Sequence, residues 1–147
     1  FIGEAFAAFG VRLLFDRVSM KPGMPTLAGL YGNTLFFGLS GNPAAAGVAF
    51  EQLVRPALLK MGGFANFARA KLTARLTEDI VKGGGPVRFV WARYWQAGLE
   101  LVVRPLALQG NGMLKSSADA NALIVVPENS GPVKAGTVVE ITTFCTV

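Results

Sequence analysis

Two hydrophobic rhythms divide this chain. Near the start, "FIGEAFAAFG" spaces its apolar residues at helical intervals and closes on Gly10, a residue suited to the left-handed turn that ends helices. The next segment, "VRLLFDRVS" (11–19), mixes apolar and charged positions as a strand does. Two short apolar runs, "TLAGLYG" and "NTLFFGLSG", then meet at Gly32-Asn33, a pair that favours positive φ and predicts a tight hairpin. In "GNPAAAGVAFEQLVRPALLKMGG", Ala46, Phe50, Leu53 and Leu58 recur at near-helical spacing. Asn42 is placed to cap this helix and Pro43 to fill its first turn, where a missing N–H costs nothing. Gly62-Gly63 stops it. Pro56 lies inside the pattern and predicts a kink or a division there.

After Gly63 the rhythm changes to alternation. Five strand-like runs follow: "ARAKLTARL", "VRFVWARYWQ", "LELVVRPLAL", "NALIVVPEN" and "TVVEITTFC". Polar, glycine-bearing connections separate them, which predicts a small antiparallel barrel or sandwich. In "VRFVWARYW", Val87, Phe89 and Trp91 share one side and Val90, Ala92 and Tyr94 the other; Phe89 and Trp91 are expected to point into the core. The expected organisation is thus an αβ segment at 1–65 followed by an all-β domain at 66–147. The first segment is short for a complete α/β domain, and the chain opens on Phe1 within a helical pattern, so a longer parent protein is expected.

Composition narrows the chemistry. Of the 147 residues, 52% are apolar and 16% charged, which fits a packed globular protein. The apolar runs are broken well short of the roughly 20 residues of a membrane span, and no signal peptide is visible, so no membrane partner is expected. Histidine is absent, which removes Ser-His and Cys-His nucleophile pairs and imidazole metal sites. The single cysteine, Cys145, suits a reducing compartment and reads as a small apolar strand residue. The net charge of +5 comes from scattered cations, without the basic stripe that nucleic-acid binding concentrates, so no nucleic-acid partner is expected. The nine carboxylates include no pair with acid/base or magnesium spacing, and no catalytic residue or metal ligand is named by the residues themselves.

One stretch gathers a cation, a tight turn and a helix start: "SMKPGMPTLAGLYGNTLFFGLSGNP", residues 19–43. Gly-Asn-Pro is a good structural cap. An exposed helix N-terminus, carrying about half a positive charge, also receives phosphate or carboxylate. Gly41 would admit a ligand close to the backbone, Ser40 or Asn42 could donate to it, and Lys21 is a mobile point charge suited to an oxyanion. Both readings stand on these residues alone. A second stretch, "LQGNGMLKSSADANALIVVP", offers glycines with Lys115, Ser116 and Ser117, but lacks the Walker spacing and reads as a strand connection.

The words "MKPG…P", "GLSGNPAAAGVAFEQLVRPAL" and "QGNGMLKSSADANALIVVPE…VKAGTVVE", in that order, resemble the C-terminal part of the molybdopterin molybdenumtransferase family, to which the C-terminal region of gephyrin is related. The resemblance covers nearly the whole chain. It implies the end of an α/β, molybdopterin-binding-type domain followed by a β-barrel-like domain, within an elongated cytoplasmic homodimer. The implied activity takes adenylylated molybdopterin and molybdate, hydrolyses the adenylate with magnesium or another divalent ion, releases AMP and inserts molybdenum. By resemblance, Lys21, Gly23 and the Ser40–Gly41–Asn42 loop line the ligand cleft, and Arg88 and Ser116 reach toward it from the β domain; Lys115, standing where the family commonly has a serine, is a candidate ligand contact that would replace the charge missing at Met24. The chain departs from the pattern at Met24, where the family has a second lysine, at Ser40, where it has a proline, and at Ala44-Ala45, where it has Val-Ser. These departures keep a second class in view: a non-catalytic partner-binding or oligomerisation module of a divergent paralogue.

Overall fold

The computed structural model describes residues 2–81, 83–106 and 117–144. The chain forms two compact units, Phe1–Phe67 and Ala68–Val147.

The first unit opens with helix α1 (Ile2–Ala8), closed by Gly10 at φ 70° with its N–H on the Ala7 carbonyl at 3.1 Å. Strand β1 (Arg12–Phe15) is shorter than the alternation predicts and carries a bulge between Leu13 and Phe15. A two-residue extended piece, β2 (Met20–Lys21), leads into the Pro-Gly turn. The expected hairpin is present: β3 (Leu27–Tyr31) pairs with β4 (Thr34–Gly38), and Gly32 holds the turn at φ 54°. β3 is central in the order β1-β3-β4. α1 lies over β3 where Gly29 leaves room, since a Cβ there would fall 2.5 Å from Val11 Cγ1 and 3.0 Å from the Phe6 ring.

The long helical segment divides where proline requires it. Helix α2 (Pro43–Ala49) passes into a π-helical turn at Phe50–Val54, and helix α3 (Arg55–Met61) begins with Pro56 in its first turn. The π turn re-registers the backbone, so the N–H that Pro56 lacks falls at a helix start. Gly63, at φ 79°, follows the last turn.

In the second unit, β5 (Lys71–Leu76), β6 (Val87–Ala97), β7 (Glu100–Pro105), β8 (Ala122–Val126) and β9 (Val138–Thr143) match the five predicted runs. They are ordered β6-β7-β5-β9-β8, and a β6–β8 pairing closes the ring. Four pairings are antiparallel, and β5–β7 is parallel. That exception to the expected antiparallel barrel is forced: strand direction cannot alternate all the way round a ring with an odd number of members.

The barrel core contains Ala74, Leu76, Ile80, Ala92, Val103, Ala122, Ile124, Val126, Val139 and Ile141, with Val90 and Tyr94 against it. The expectation for Phe89 and Trp91 is therefore corrected. Their side of β6 faces outward, and Trp91 is buried on the outside of the barrel. There its ring meets Phe144 at 5.5 Å between centroids, and the Arg69 guanidinium lies 5.7 Å from the centroid of that same Phe144 ring. Alternation identifies two faces, but an aromatic residue can be buried on either.

Candidate functional site

The Pro-Gly turn is built from buried small groups. Gly23 adopts φ 102°, a conformation that L side chains rarely take, and the Lys21–Pro22 peptide is cis. Thr26, fully buried, donates its hydroxyl to the Gly23 carbonyl at 2.7 Å and its N–H to the same oxygen at 3.1 Å. Val18 donates its N–H to the Met24 carbonyl at 3.0 Å, so the loop is closed from both sides. Met20 is buried beneath it and Lys21 is exposed.

This turn sits against the start of α2. A Cβ built on Gly23 would stand 3.4 Å from the Ala45 carbonyl oxygen and 3.7 Å from the Ala49 methyl. Ala44, Ala45, Val48 and Ala49 form the buried face of the helix. The small residues on both sides make the approach possible; a longer side chain at Ala49 would hold the turn away. The lysine turn and the Ser40–Asn42 loop are thus tied to one helix.

At the helix start, Asn42 acts as the cap. Its Oδ1 accepts the Ala44 N–H at 3.0 Å and the Ala45 N–H at 3.4 Å, and Pro43 has no N–H. The groups that a bare helix end would present to an anion are therefore largely used internally. Ser40 Oγ accepts the Asn42 N–H at 3.2 Å, leaving the Ser40 O–H as a donor. Gly41 is exposed, and a Cβ built on it meets no atom within 4 Å.

Arg88 lies in β6 opposite Val126 of β8, half-buried, on the same side of the strand as core-facing Val90. Lys115 and Ser116 lie outside the described residues, as does Cys145.

Sequence reading missed the part played by Asn121. Its Oδ1 accepts the Tyr94 N–H at 2.8 Å and its Nδ2 donates to the Tyr94 carbonyl at 2.9 Å, so the side chain imitates a strand residue beyond the end of β8. Its own backbone also bonds Ala92 (3.1 Å) and Phe144 (2.9 Å). An amide flanked by alanines was the only signal available.

Ion pairs decorate the barrel. Arg75 grips Glu100 through Nε (2.9 Å) and Nη2 (3.0 Å) and donates to the Gly136 carbonyl. Asp79 receives Lys134 Nζ and the Ala135 N–H, each at 2.8 Å. The hydrogen bond from Lys134, then that from Ala135, lowers the Asp79 pKa; the hydrogen bond and charge of Arg75 lower that of Glu100. Among the described residues, no group of three or more His, Cys, Asp or Glu could hold a metal ion, and no helix is long and apolar enough to cross a membrane.

Residues 73–144 match the MoeA C-terminal region (domain IV) family. The molybdopterin molybdenumtransferase of Staphylococcus aureus (strain COL) is 32% identical over 141 residues, 96% of this chain and 34% of that protein. The crystal structure of the molybdopterin biosynthesis MoeA protein of Pyrococcus horikoshii OT3 matches 91% of this chain and 33% of its own at 34% identity and TM-score 0.74. A molybdenum cofactor biosynthesis protein of Pyrococcus furiosus matches 91% of this chain and 46% of its own at 30% identity and TM-score 0.73. The chain spans about a third of the length of the curated relatives it matches. Barrel topology, word order and these likenesses agree: the chain is the C-terminal part of a MoeA-family protein of molybdenum cofactor biosynthesis.

Proposed function

We propose that this chain supplies one wall of the cleft in which a molybdopterin molybdenumtransferase inserts molybdenum from molybdate into adenylylated molybdopterin, with release of AMP. The observation that carries the reading is the seating of the Lys21–Gly23 turn on α2 at Ala45 and Ala49, beside the Ser40–Asn42 loop. In this reading Lys21, the Ser40 hydroxyl and the Gly41 backbone face the oxyanions of phosphate and molybdate, and Gly23 keeps the turn close to the helix. Asn42 holds the loop through its cap. Arg88, Lys115 and Ser116 are proposed as ligand contacts on the resemblance alone. Fixed donors act on such charge by positioning and electrostatic stabilisation, and they need no reorganisation during reaction.

The described residues do not fit a magnesium site, since no three or more carboxylates among them come together to hold the ion. The parent would be a cytoplasmic homodimer acting on small molecules, and the chain alone would bind molybdopterin ligands weakly or not at all.

A second reading, a non-catalytic interaction module, is favoured by one observation: Met24 stands where the resemblance places a lysine. Lys21→Ala and Met24→Lys in the full-length parent separate the two. The enzymatic reading expects molybdate binding and AMP release to fall with the first and to hold or rise with the second. Unchanged binding and turnover in both variants would sink it.

A further inference from the structure

Three cations of the barrel meet carboxylates. Lys71 pairs with Glu140 at 2.9 Å, Arg75 with Glu100 at 2.9 Å, and Lys134 with Asp79 at 2.8 Å. Arg93 and Arg104 depart from this pattern. They stand directly opposite each other in the antiparallel β6–β7 register, and both are exposed. The alternation that turns Ala92, Tyr94 and Val103 toward the core turns both arginines outward. Among the described residues neither meets a carboxylate; Arg93 Nη1 has one long contact, 3.5 Å, to the Asp119 carbonyl oxygen. Like charges placed directly opposite on paired strands destabilise the sheet, so this pair is a cost to the fold.

The adjoining row on the same face is Trp95 opposite Val102, and Trp95 is 42% exposed. Directly opposed side chains start about 5 Å apart, close enough for two guanidinium forks to share one tetrahedral oxyanion. Successive same-face positions on a strand are about 6.7 Å apart, so the indole lies within reach of a ring attached to that oxyanion. From this juxtaposition we infer that the outer face of β6 and β7 is a binding subsite for a phosphate monoester carrying a flat ring. The arginines take the phosphate, and Trp95 takes the ring. This subsite is separate from the Lys21 and Ser40–Asn42 reading and does not depend on it.

Phenyl phosphate is the probe, titrated against the intrinsic fluorescence of the whole chain. Trp91 is buried against Phe144, and Trp95→Phe identifies which indole responds. The expected result is a saturable change that Trp95→Phe abolishes and that inorganic phosphate displaces competitively. Charged hydrogen bonds are the strong ones, so Arg93→Gln/Arg104→Gln should weaken binding at least about tenfold. Because that variant removes a repulsion, it should melt no lower than the parent chain. Non-saturable quenching, or equal affinity in the double variant, would overturn the inference. A lower melting temperature would also overturn it, by making the arginine pair structural.

Discussion

Gly23 stands with its Cα turned toward the Ala45 carbonyl oxygen, so that a methyl group there would lie 3.4 Å from that oxygen and 2.9 Å from Met20 Cε. The Met20 end can shift. The α2 backbone and the positive φ cannot adjust so cheaply.

Gly23→Ala is therefore expected to cost about 1–3 kcal/mol, chiefly through backbone strain. Gly41→Ala is the matched control, because Gly41 has open space around it and does not need a positive φ. Paired thermal melts check this. Equal losses in the two variants would show that the Gly23–Ala45 approach does not matter.

Asn42 tests cap against ligand. Asn42→Ala should cost about 1 kcal/mol by releasing the Ala44 and Ala45 N–H groups. Asn42→Asp preserves the cap, since aspartate caps about as well as asparagine, but adds a negative charge. Stability should survive that change, while oxyanion binding in the full-length parent should drop. A parent that binds molybdate as well with aspartate would reduce Asn42 to a structural role.

Asn121→Ala removes both side-chain bonds to the Tyr94 backbone and leaves that N–H and carbonyl unsatisfied at the end of the β6–β8 ladder. The expected loss is about 1–3 kcal/mol. Hydrogen exchange at the Tyr94 amide should accelerate more than at the amide of residue 121, which keeps its bond to the Ala92 carbonyl. Uniform acceleration would point instead to global unfolding alone.

Asp79 and Glu100 give the barrel an acid-sensitive component. Both have pKa values lowered in the folded state, by Lys134 with Ala135 and by Arg75 respectively. A carboxylate with a lowered folded pKa binds fewer protons folded than unfolded. Its contribution is complete above the unfolded values, about 3.9 for aspartate and 4.3 for glutamate, and is lost as pH falls through the folded value. Denaturant midpoints measured from pH 7 downward should fall below about pH 4. Asp79→Asn/Glu100→Gln should flatten that fall, and both groups are exposed, so salt should weaken it as well.

The local features were legible because their causes are local. Asn42 and Pro43 begin a helix by their own chemistry, Pro56 divides it, and Gly32 turns a hairpin. Features that depend on distant partners were not legible. The five runs predict strands but not their order, and only ring closure shows why β5 and β7 must run parallel. Trp91 alternates as a core residue would, yet Phe144 buries it on the outside. For the candidate site, sequence names Lys21 and Ser40 to Asn42. The contact between Gly23 and Ala45 joins residues too far apart along the chain to be read together. The double use of Asn42 Oδ1 was likewise hidden, because a cap and an anion site call for the same residue types.

Ring closure also bears on the order of events during synthesis. β5, first of the barrel strands to be made, lies between β7 and β9, the last. Its Lys71 must wait for Thr142 before that edge is satisfied. Until then, the nascent barrel carries an open edge, the condition under which strands pair with the wrong chain. Closure is a late, long-range step, and a ribosome that stalls before Val138 would leave the module unfinished rather than partly useful.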